Sequence, residues 1–241
     1  MKLSIIIPVY NEINLLPKIL IKIVERTKSI NKEIIIIDDF SNDGTREWLK
    51  KLKNKKKNII KRNKTIKNIK IIFKKNNEGK GSAVKLGIKE CRGEVIVIQD
   101  SDLEYDPKDF NKMIKKIENE NFDVVYGNRF SSKKNKYHYL IYAIGNFFLS
   151  SFVSIIFNKK LFDVAVCYKM FKKKVIQDLK LDSNDFMFDF EFTSKILKQK
   201  KWNITQLDIF YKGRTFKEGK KISWLDGFKA LLIILKIKFF D

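Results

Sequence analysis

The sequence predicts one α/β domain with a doubly wound, mostly parallel sheet flanked by helices. Five apolar runs alternate with amphipathic stretches along the chain, at residues 4–9, 33–37, 69–73, 94–98 and 123–126. Short apolar runs without an alternating polar face are typical of strands buried on both sides of a parallel sheet. Polar residues follow these runs, and open α/β sheets bind their ligands beyond the carboxyl ends of the strands. The fold class therefore also indicates where a ligand site is to be sought.

The stretches between the runs predict helices. After the first run, leucine, isoleucine and valine recur at helical spacing over residues 15–24, which predicts a helix packed on the core. Asp106 followed by Pro107 is a typical helix start. Beyond Phe130 the alternation stops, and the sequence predicts a helix near residues 190–199 and a basic, apolar helix over residues 223–239.

The charge of the chain restricts its partners. The 51 Lys and Arg against 28 Asp and Glu give a formal net charge of +23, which attracts nucleic acid, anionic lipid or phosphorylated substrates. Six of these cations are arginines, and most aromatic residues lie inside apolar runs. Nucleic-acid readers favour arginine forks and exposed aromatic side chains. A nucleic-acid partner is therefore disfavoured, and no pattern indicates a protein partner.

Other features bear on location. Two cysteines, Cys91 and Cys167, form no disulfide framework and predict reduced thiols in a cytosolic protein. The N-terminal apolar run is too short for a signal peptide. Residues 139–157 carry no charge, but an asparagine and three serines interrupt them, which favours a helix in the membrane interface over one that crosses. We expect a cytoplasmic protein held peripherally at the inner face of the membrane.

Two carboxylates directly follow the fourth apolar run. Asp100 and Asp102 lie two residues apart in the sequence Q-D-S-D of residues 99–102. Such a pair suits Mg²⁺ or Mn²⁺, which bind hard oxygen ligands and often complete their shell with substrate phosphates. The pattern indicates a metal-assisted enzyme acting on a nucleotide diphosphate. Taken alone, so short a match also fits a solvated acidic turn.

Further motifs follow the other runs in a fixed order. They are I-P-V-Y-N-E at 7–12, D-D-F-S-N-D-G-T at 38–45, N-E-G-K-G at 77–81, Q-D-S-D-L-E-Y-D-P at 99–107 and Y-G-N-R-F at 126–130. The glycines at 77–81 permit tight turns, and the amides beside them can face phosphate. In this order, the set resembles family 2 glycosyltransferases of the GT-A fold, in the branch similar to dolichyl- or polyprenyl-phosphate sugar synthases.

The resemblance extends over nearly the whole chain. Residues 163–171, 188–191 and 211–222 are similar to later motifs of that branch. The resemblance implies a single GT-A domain over residues 1–241, whose first half, 1–130, binds the nucleotide sugar and whose second half, 131–241, faces the acceptor and the membrane.

The resemblance also implies site residues. Those expected to hold the nucleotide sugar are Pro8, Tyr10, Glu12, Asp39, Lys80 and Asp100. The expected metal ligands are Asp100, Asp102 and Glu104, with Asp102 as the main one. Arg129 and Lys220 match acceptor-phosphate contacts, and Arg214 matches a donor-phosphate contact in a late loop that acts as a lid. The catalytic set is Asp102, Arg129, Arg214 and Glu191. Residues 145–148 lack the additional arginine that relatives often place on the acceptor side.

The leading hypothesis is inverting, metal-dependent hexose transfer from GDP-mannose or UDP-glucose to a polyprenyl or dolichyl phosphate. A lipid phosphate is already ionised and attacks without a strong general base, so positioning and electrostatics carry the catalysis. The alternative is transfer to a glycan or another hydroxyl acceptor in cell-envelope polysaccharide synthesis, with Asp189 or Glu191 as the base. A basic membrane- or nucleic-acid-binding module without catalysis is a remote third reading. The sequence does not separate the two donors.

Overall fold

The structure is a computed structural model, which describes residues 1–54, 68–130, 135, 139–215 and 224–241. Within these residues, seven strands form one sheet. They are β1 (Leu3–Val9), β2 (Lys32–Asp38), β3 (Ile69–Phe73), β4 (Val95–Ile98), β5 (Val124–Asn128), β6 (Lys169–Lys172) and β7 (Ile204–Asp208). Their order in the sheet is β3-β2-β1-β4-β6-β5-β7.

The direction of the strands confirms the predicted fold class. Strand β1 pairs in parallel with β2 and β4, and β2 pairs in parallel with β3. Strand β6 is antiparallel to both β4 and β5, so β5 runs in the same direction as β4, and β7 is parallel to β5. One reversed strand therefore lies within a sheet that is otherwise parallel. The five predicted strands are β1 to β5, whereas β6 and β7 were not predicted.

Helices flank the sheet. They are α1 (Leu16–Arg26), α2 (Thr45–Asn54), α3 (Lys80–Glu90), α4 (Phe110–Asn119), α5 (Leu140–Phe157), α6 (Lys174–Gln177), α7 (Phe188–Gln199) and α8 (Trp224–Phe240). The stripe predicted on α1 is buried at Leu16, Ile19, Leu20 and Ile23. A short 3-10 turn, Pro107–Asp109, leads into α4, and the Asp106 side chain accepts a hydrogen bond from the amide of Lys108, as expected of a helix start.

Helices α5 and α8 pack against each other and expose apolar side chains. On α5, the side chains of Ile141, Ile144, Phe148 and Ile155 are exposed. Their spacing follows one face of a helix. Phe228, Leu232 and Phe239 are exposed on α8. Among the described residues, no helix is long and apolar enough to span a bilayer.

The parallel register brings the polar strand ends to one edge. Val9 lies opposite Asp38 where β1 and β2 end, and Ile98 lies opposite Ile6 where β4 ends. A bridge between Tyr105 and Tyr211 then lays the late segment 211–214 over the segment that follows β4. Residues from the first and the last third of the chain therefore meet at this edge.

Candidate active site

A cluster of carboxylates surrounds one arginine at this edge. The guanidinium of Arg214 lies 3.1 Å from Glu12 Oε1, 2.8 Å from Asp102 Oδ2 and 3.4 Å from Glu104 Oε1. The amide of Arg214 also donates to Glu104, at 3.0 Å. The side chain of Arg214 is largely buried, with 18% of its surface exposed. The structure thus unites a residue that follows β1, two that follow β4 and one from the late segment.

The pKa of the Asp102 carboxyl is raised. It is buried, and its Oδ1 accepts a hydrogen bond from the amide of Glu104 at 3.0 Å. Burial, followed by repulsion from Asp100 and Glu104, raises its pKa from 3.8 to about 8, and Arg214 opposes that shift. Crowded, poorly hydrated carboxylates favour a cation or a proton between them. The local chemistry therefore favours binding of positive charge at Asp102.

A chain of alternating charges connects Asp100 with the core. Asp100 Oδ1 lies 3.0 Å from Lys80 Nζ, and Lys80 Nζ lies 3.3 Å from Asp189 Oδ2. The other oxygen of Asp189 lies 2.7 Å from Nζ of Lys169, which is fully buried in β6. Burial alone would raise the pKa of Asp189, but Lys169 and Lys80 hold it below its ordinary value. Asp189 is therefore a stable anion between two ammonium groups.

Asp39 holds the turn that precedes α3. Its Oδ1 accepts hydrogen bonds from Lys74 Nζ at 2.6 Å and from the amide of Glu78 at 3.1 Å. Its Oδ2 accepts one from the amide of Gly79, at 2.7 Å. Pro8 and Tyr10 lie at the end of β1 beside this segment, since Val9 accepts the amide hydrogen of Asp39. The expected nucleotide-binding residues of the first two strand ends are thus neighbours.

The glycines of the 77–81 motif are needed for close packing. Gly79 has a φ of 97°, and a Cβ added there would lie 2.5 Å from the carbonyl oxygen of Asn184. A Cβ at Gly81 would lie 2.6 Å from the carbonyl oxygen of Ser183. The amide of Gly79 binds Asp39, and that of Ser82 binds Asn184. These two amides serve the fold, and Lys80 is the group of this motif that reaches Asp100.

Arg129 follows β5 and forms a bidentate ion pair with Asp163. Both nitrogen–oxygen distances are 2.7 Å, and Asp163 is fully buried. Asn146 of α5 donates to the same carboxylate at 2.7 Å. The Arg129 guanidinium also lies 5.0 Å from the ring centre of Tyr211, which in turn contacts Tyr105. Arg129 is therefore fixed between α5 and the aromatic side chains beside the carboxylate cluster.

Two expected residues are not brought to this cluster by the described contacts. The Glu191 carboxylate accepts hydrogen bonds from the amides of Asp182 and Ser183, at 2.9 and 2.7 Å, and lies 3.2 Å from Lys195 Nζ. These contacts orient the loop before α7. Lys220 lies outside the described residues.

A divalent cation fits the donor chemistry only with help from a ligand. In the described ranges, no group of three or more His, Cys, Asp or Glu side chains is arranged to hold a metal ion by itself. Asp102 nevertheless offers a buried carboxylate beside Asp100 and Glu104. Mg²⁺ and Mn²⁺ commonly bind through one or two carboxylates together with substrate phosphates. The site fits that mode of binding and not a complete protein cage.

Sequence reasoning missed three side chains that contact the expected residues or their partners: Lys169, Asp163 and Asn146. Lys169 and Asp163 lie inside the motif at 163–171, but nothing in that motif indicates which side chains they contact. A lysine in an otherwise apolar stretch is the one signal, because a buried lysine needs a carboxylate partner. Asn146 was noted only as a polar interruption of an apolar helix.

The chain matches one family model and curated relatives. A family model described as Glycosyl transferase family 2 matches residues 4–180. The chain is 35% identical over 130 residues to a dolichol-phosphate mannosyltransferase of Pyrococcus furiosus, a match covering 54% of this chain and 34% of that relative. It is 31% identical over 126 residues to an undecaprenyl-phosphate 4-deoxy-4-formamido-L-arabinose transferase of Proteus mirabilis, covering 52% of this chain and 36% of the relative. The matched stretches span about a third of each relative.

A solved structure supports the fold. It is glucosyl-3-phosphoglycerate synthase from Mycobacterium tuberculosis in complex with Mn²⁺, uridine diphosphate and phosphoglyceric acid. The TM-score is 0.71 at 11% identity, and the match covers 100% of this chain and 79% of that one. At this identity the likeness concerns the fold alone, and it confirms the GT-A architecture.

Proposed function

We propose that this chain, which belongs to glycosyltransferase family 2, transfers a hexose from a nucleotide diphosphate sugar to a polyprenyl phosphate at a membrane surface. The two curated relatives described above are named for transfer to dolichol phosphate and undecaprenyl phosphate, which supports this acceptor class. The donor is GDP-mannose or UDP-glucose, and the metal is Mg²⁺ or Mn²⁺.

One observation carries the choice of acceptor: the Asp163 carboxylate binds both Arg129 and helix α5, which exposes apolar side chains. Asp163 binds both Arg129 and Asn146, the latter from α5. The next two residues of α5, Phe147 and Phe148, are exposed. A phosphate at Arg129 would therefore have an apolar surface within reach for its isoprenoid chain. A charge-assisted contact to phosphate beside exposed apolar area matches the chemistry of a lipid phosphate.

The state of Asp189 also supports a phosphate acceptor. A sugar hydroxyl needs a general base to remove its proton during attack. Asp189 is a poor base, because both of its oxygens bind ammonium groups and its pKa is held below the ordinary value. Glu191, the other expected base, is bound to the amides of Asp182 and Ser183. A phosphate acceptor requires neither carboxylate as a base.

The donor site is proposed at the carboxylate cluster. Asp102 would hold the metal, with Asp100 and Glu104 beside it, and the solved relative bound to Mn²⁺ and uridine diphosphate supports this choice of cofactor. The cation supplies charge neutralisation for the departing diphosphate. Arg214 and Lys80 add positive charge from this chain, and the buried aromatic side chains of Tyr105 and Tyr211 exclude water. Positioned cations in a water-poor site are what departure of a diphosphate requires.

The test is transfer of labelled sugar from a panel of nucleotide sugars to undecaprenyl or dolichyl phosphate with Mg²⁺ or Mn²⁺. We expect transfer with one donor and a loss of at least about 100-fold in Asp102→Asn, because several kcal/mol of charge stabilisation disappear. Asp178→Asn, which removes an exposed carboxylate far along the chain, is the control. Transfer to a glycan hydroxyl but not to a lipid phosphate would favour the alternative acceptor class. A fully active Asp102→Asn variant would refute the site.

Contact with the membrane is proposed through α5 and α8. Exposed phenylalanines and isoleucines on α5, with Lys159 and Lys160 directly after it, suit an anionic leaflet. The proposal assigns this contact to the cytoplasmic, inner face. We expect Phe147→Ser/Phe148→Ser to weaken the salt-resistant part of binding to vesicles that contain phosphatidylglycerol. Phe152→Ser is the comparison, because Phe152 packs partly on the core and should affect stability instead. Equal vesicle binding of all three proteins would reject this surface.

A further inference from the structure

The contact between Arg214 and Asp102 bears on metal binding. Asp102 is the proposed main metal ligand, and both of its oxygens already have partners. Oδ1 accepts the amide hydrogen of Glu104 at 3.0 Å, and Oδ2 lies 2.8 Å from Arg214 Nη2. A divalent cation bound to Oδ2 would therefore meet the positive charge of a guanidinium on the same oxygen. Two such cations repel each other strongly in a buried site.

Contacts with neighbouring carboxylates also stabilise Arg214 at this position. Its Nη1 lies 3.1 Å from Glu12, and its Nε lies 3.4 Å from Glu104. With Asp102 these are three carboxylates around one cation, so Arg214 offsets part of a dense negative charge. Removing the guanidinium would leave that charge to be neutralised by something else. A free divalent cation is a natural replacement, because it needs the same oxygens.

We propose that Arg214 is a built-in counter-cation, which competes with the divalent metal for the Asp102 carboxylate. When a nucleoside diphosphate binds, Arg214 leaves this carboxylate and the metal takes its place. The inference rests on the proposed function, because it assumes that Asp102 holds the metal. A diphosphate supplies the metal with further ligands and supplies Arg214 with a new anionic partner. The side chain can then leave Oδ2 without losing its charge compensation.

This arrangement couples the two ligands. Metal alone binds weakly, because it must displace a bound guanidinium, whereas metal with nucleotide binds well. By thermodynamic reciprocity, the metal raises nucleotide affinity by the same factor. Arg214 thereby makes metal binding depend on the donor, and it neutralises the carboxylates when no donor is bound. The preference of the site for metal together with donor, over metal alone, therefore depends on the Arg214 side chain.

The experiment is titration of Mn²⁺ followed by electron paramagnetic resonance, with and without uridine or guanosine diphosphate. For the wild type we expect weak Mn²⁺ binding alone and much tighter binding with one nucleotide. In Arg214→Gln, Mn²⁺ binding without nucleotide should tighten by about tenfold, within the usual range of coupling between sites, and the effect of nucleotide should shrink. Lys212→Gln removes the same charge from an exposed position two residues away, and it should leave nucleotide-free binding nearly unchanged.

A second variant covers loss of folding. Arg214→Lys keeps the charge but lacks a planar fork that reaches Glu12 and Asp102 together, so it should fold and bind Mn²⁺ alone more tightly than the wild type. If both variants, or the one that folds, bind Mn²⁺ as the wild type does, the inference is wrong while the proposed function stands. Equal tightening in Lys212→Gln would also overturn it, because the effect would then be general. A wild type that binds no Mn²⁺ even with nucleotide would refute the proposed metal site itself.

Discussion

Arg129 stabilises the fold and is also the proposed contact for the acceptor phosphate, so its replacement is expected to affect both. Arg129→Ala deletes a cation, but it also leaves Asp163 as a fully buried carboxylate, which among the described residues keeps hydrogen bonds from the Asn146 side chain and the amide of residue 129. Removing one partner of a buried ion pair costs about 3–5 kcal/mol. The single variant is therefore expected to lose stability as well as acceptor use. Its activity alone would not distinguish the two causes.

The double variant Arg129→Ala/Asp163→Asn removes this ambiguity. Neutralising Asp163 relieves the uncompensated charge, and we expect stability to return to within about 1–2 kcal/mol of the wild type, the value of one or two neutral hydrogen bonds. Urea unfolding measures this recovery. Transfer to undecaprenyl phosphate should remain lost, while binding of the nucleotide with Mn²⁺ should be kept, because the proposed donor site is unchanged. A double variant that regains both stability and lipid-phosphate transfer would refute a phosphate contact at Arg129.

Three further predictions concern stability, measured by urea unfolding. Burial would raise the pKa of Glu33, but hydrogen bonds from neighbouring side-chain and amide groups lower it. Its stabilisation is therefore complete above the ordinary value of 4.5 and lost as pH falls through the folded pKa. Glu33→Gln should cost about 2 kcal/mol at pH 7, and the deficit should vanish in acid; a constant deficit would contradict this. Asp189→Asn should cost about 3 kcal/mol, because buried Lys169 loses its counter-charge, and wild-type stability would exclude that role. Gly81→Ala should cost about 2 kcal/mol through a Cβ placed 2.6 Å from a carbonyl oxygen. Gly145→Ala, with nothing within 4 Å, should be neutral or slightly stabilising.

The parallel part of the fold was predictable because its signals are local. Strands β1 to β5 coincide with mainly apolar runs, and their observed bounds lie within two residues of the predicted ones. The edge at which their polar ends meet follows from the parallel direction alone. This is why the polar segments after β1, β2 and β4 could be placed at one edge from the sequence, whereas the roles of Glu12, Asp39 and Asp102 were implied by the family resemblance.

Strands β6 and β7 were missed for physical reasons. Strand β6 has four residues, two of them lysines, and strand β7 reads I-T-Q-L-D without a continuous apolar run. The first is held in the sheet by neighbours on both sides, β4 and β5, and not by its own pattern. Pairing between segments so distant in sequence has no local signature. Consequently Lys169 of β6, which pairs with Asp189, lay within a quoted motif but was assigned no role.

At the site, the sequence indicated the charged side chains but not the residues that they contact. The family resemblance implied that Arg129 and Arg214 contact phosphate, a group that basic side chains bind well. Their carboxylate partners depend on side-chain directions that a sequence does not contain. Only the fold reveals that Arg214 contacts Glu12, 202 residues earlier in the chain.

The missing second arginine on the acceptor side acquires a physical meaning from these contacts. The sequence carries Asn146 in the part of α5 where an additional arginine was expected, and Asn146 donates to the carboxylate that binds Arg129. A neutral amide satisfies one oxygen of Asp163 without competing for its charge, so the negative charge of Asp163 is left to hold the Arg129 fork in one orientation. Acceptor binding would then depend on a single, well-fixed guanidinium. Asn146→Arg should accordingly weaken that pair, and a gain in lipid-phosphate transfer from this substitution would mean that charge, and not orientation, limits the proposed acceptor site.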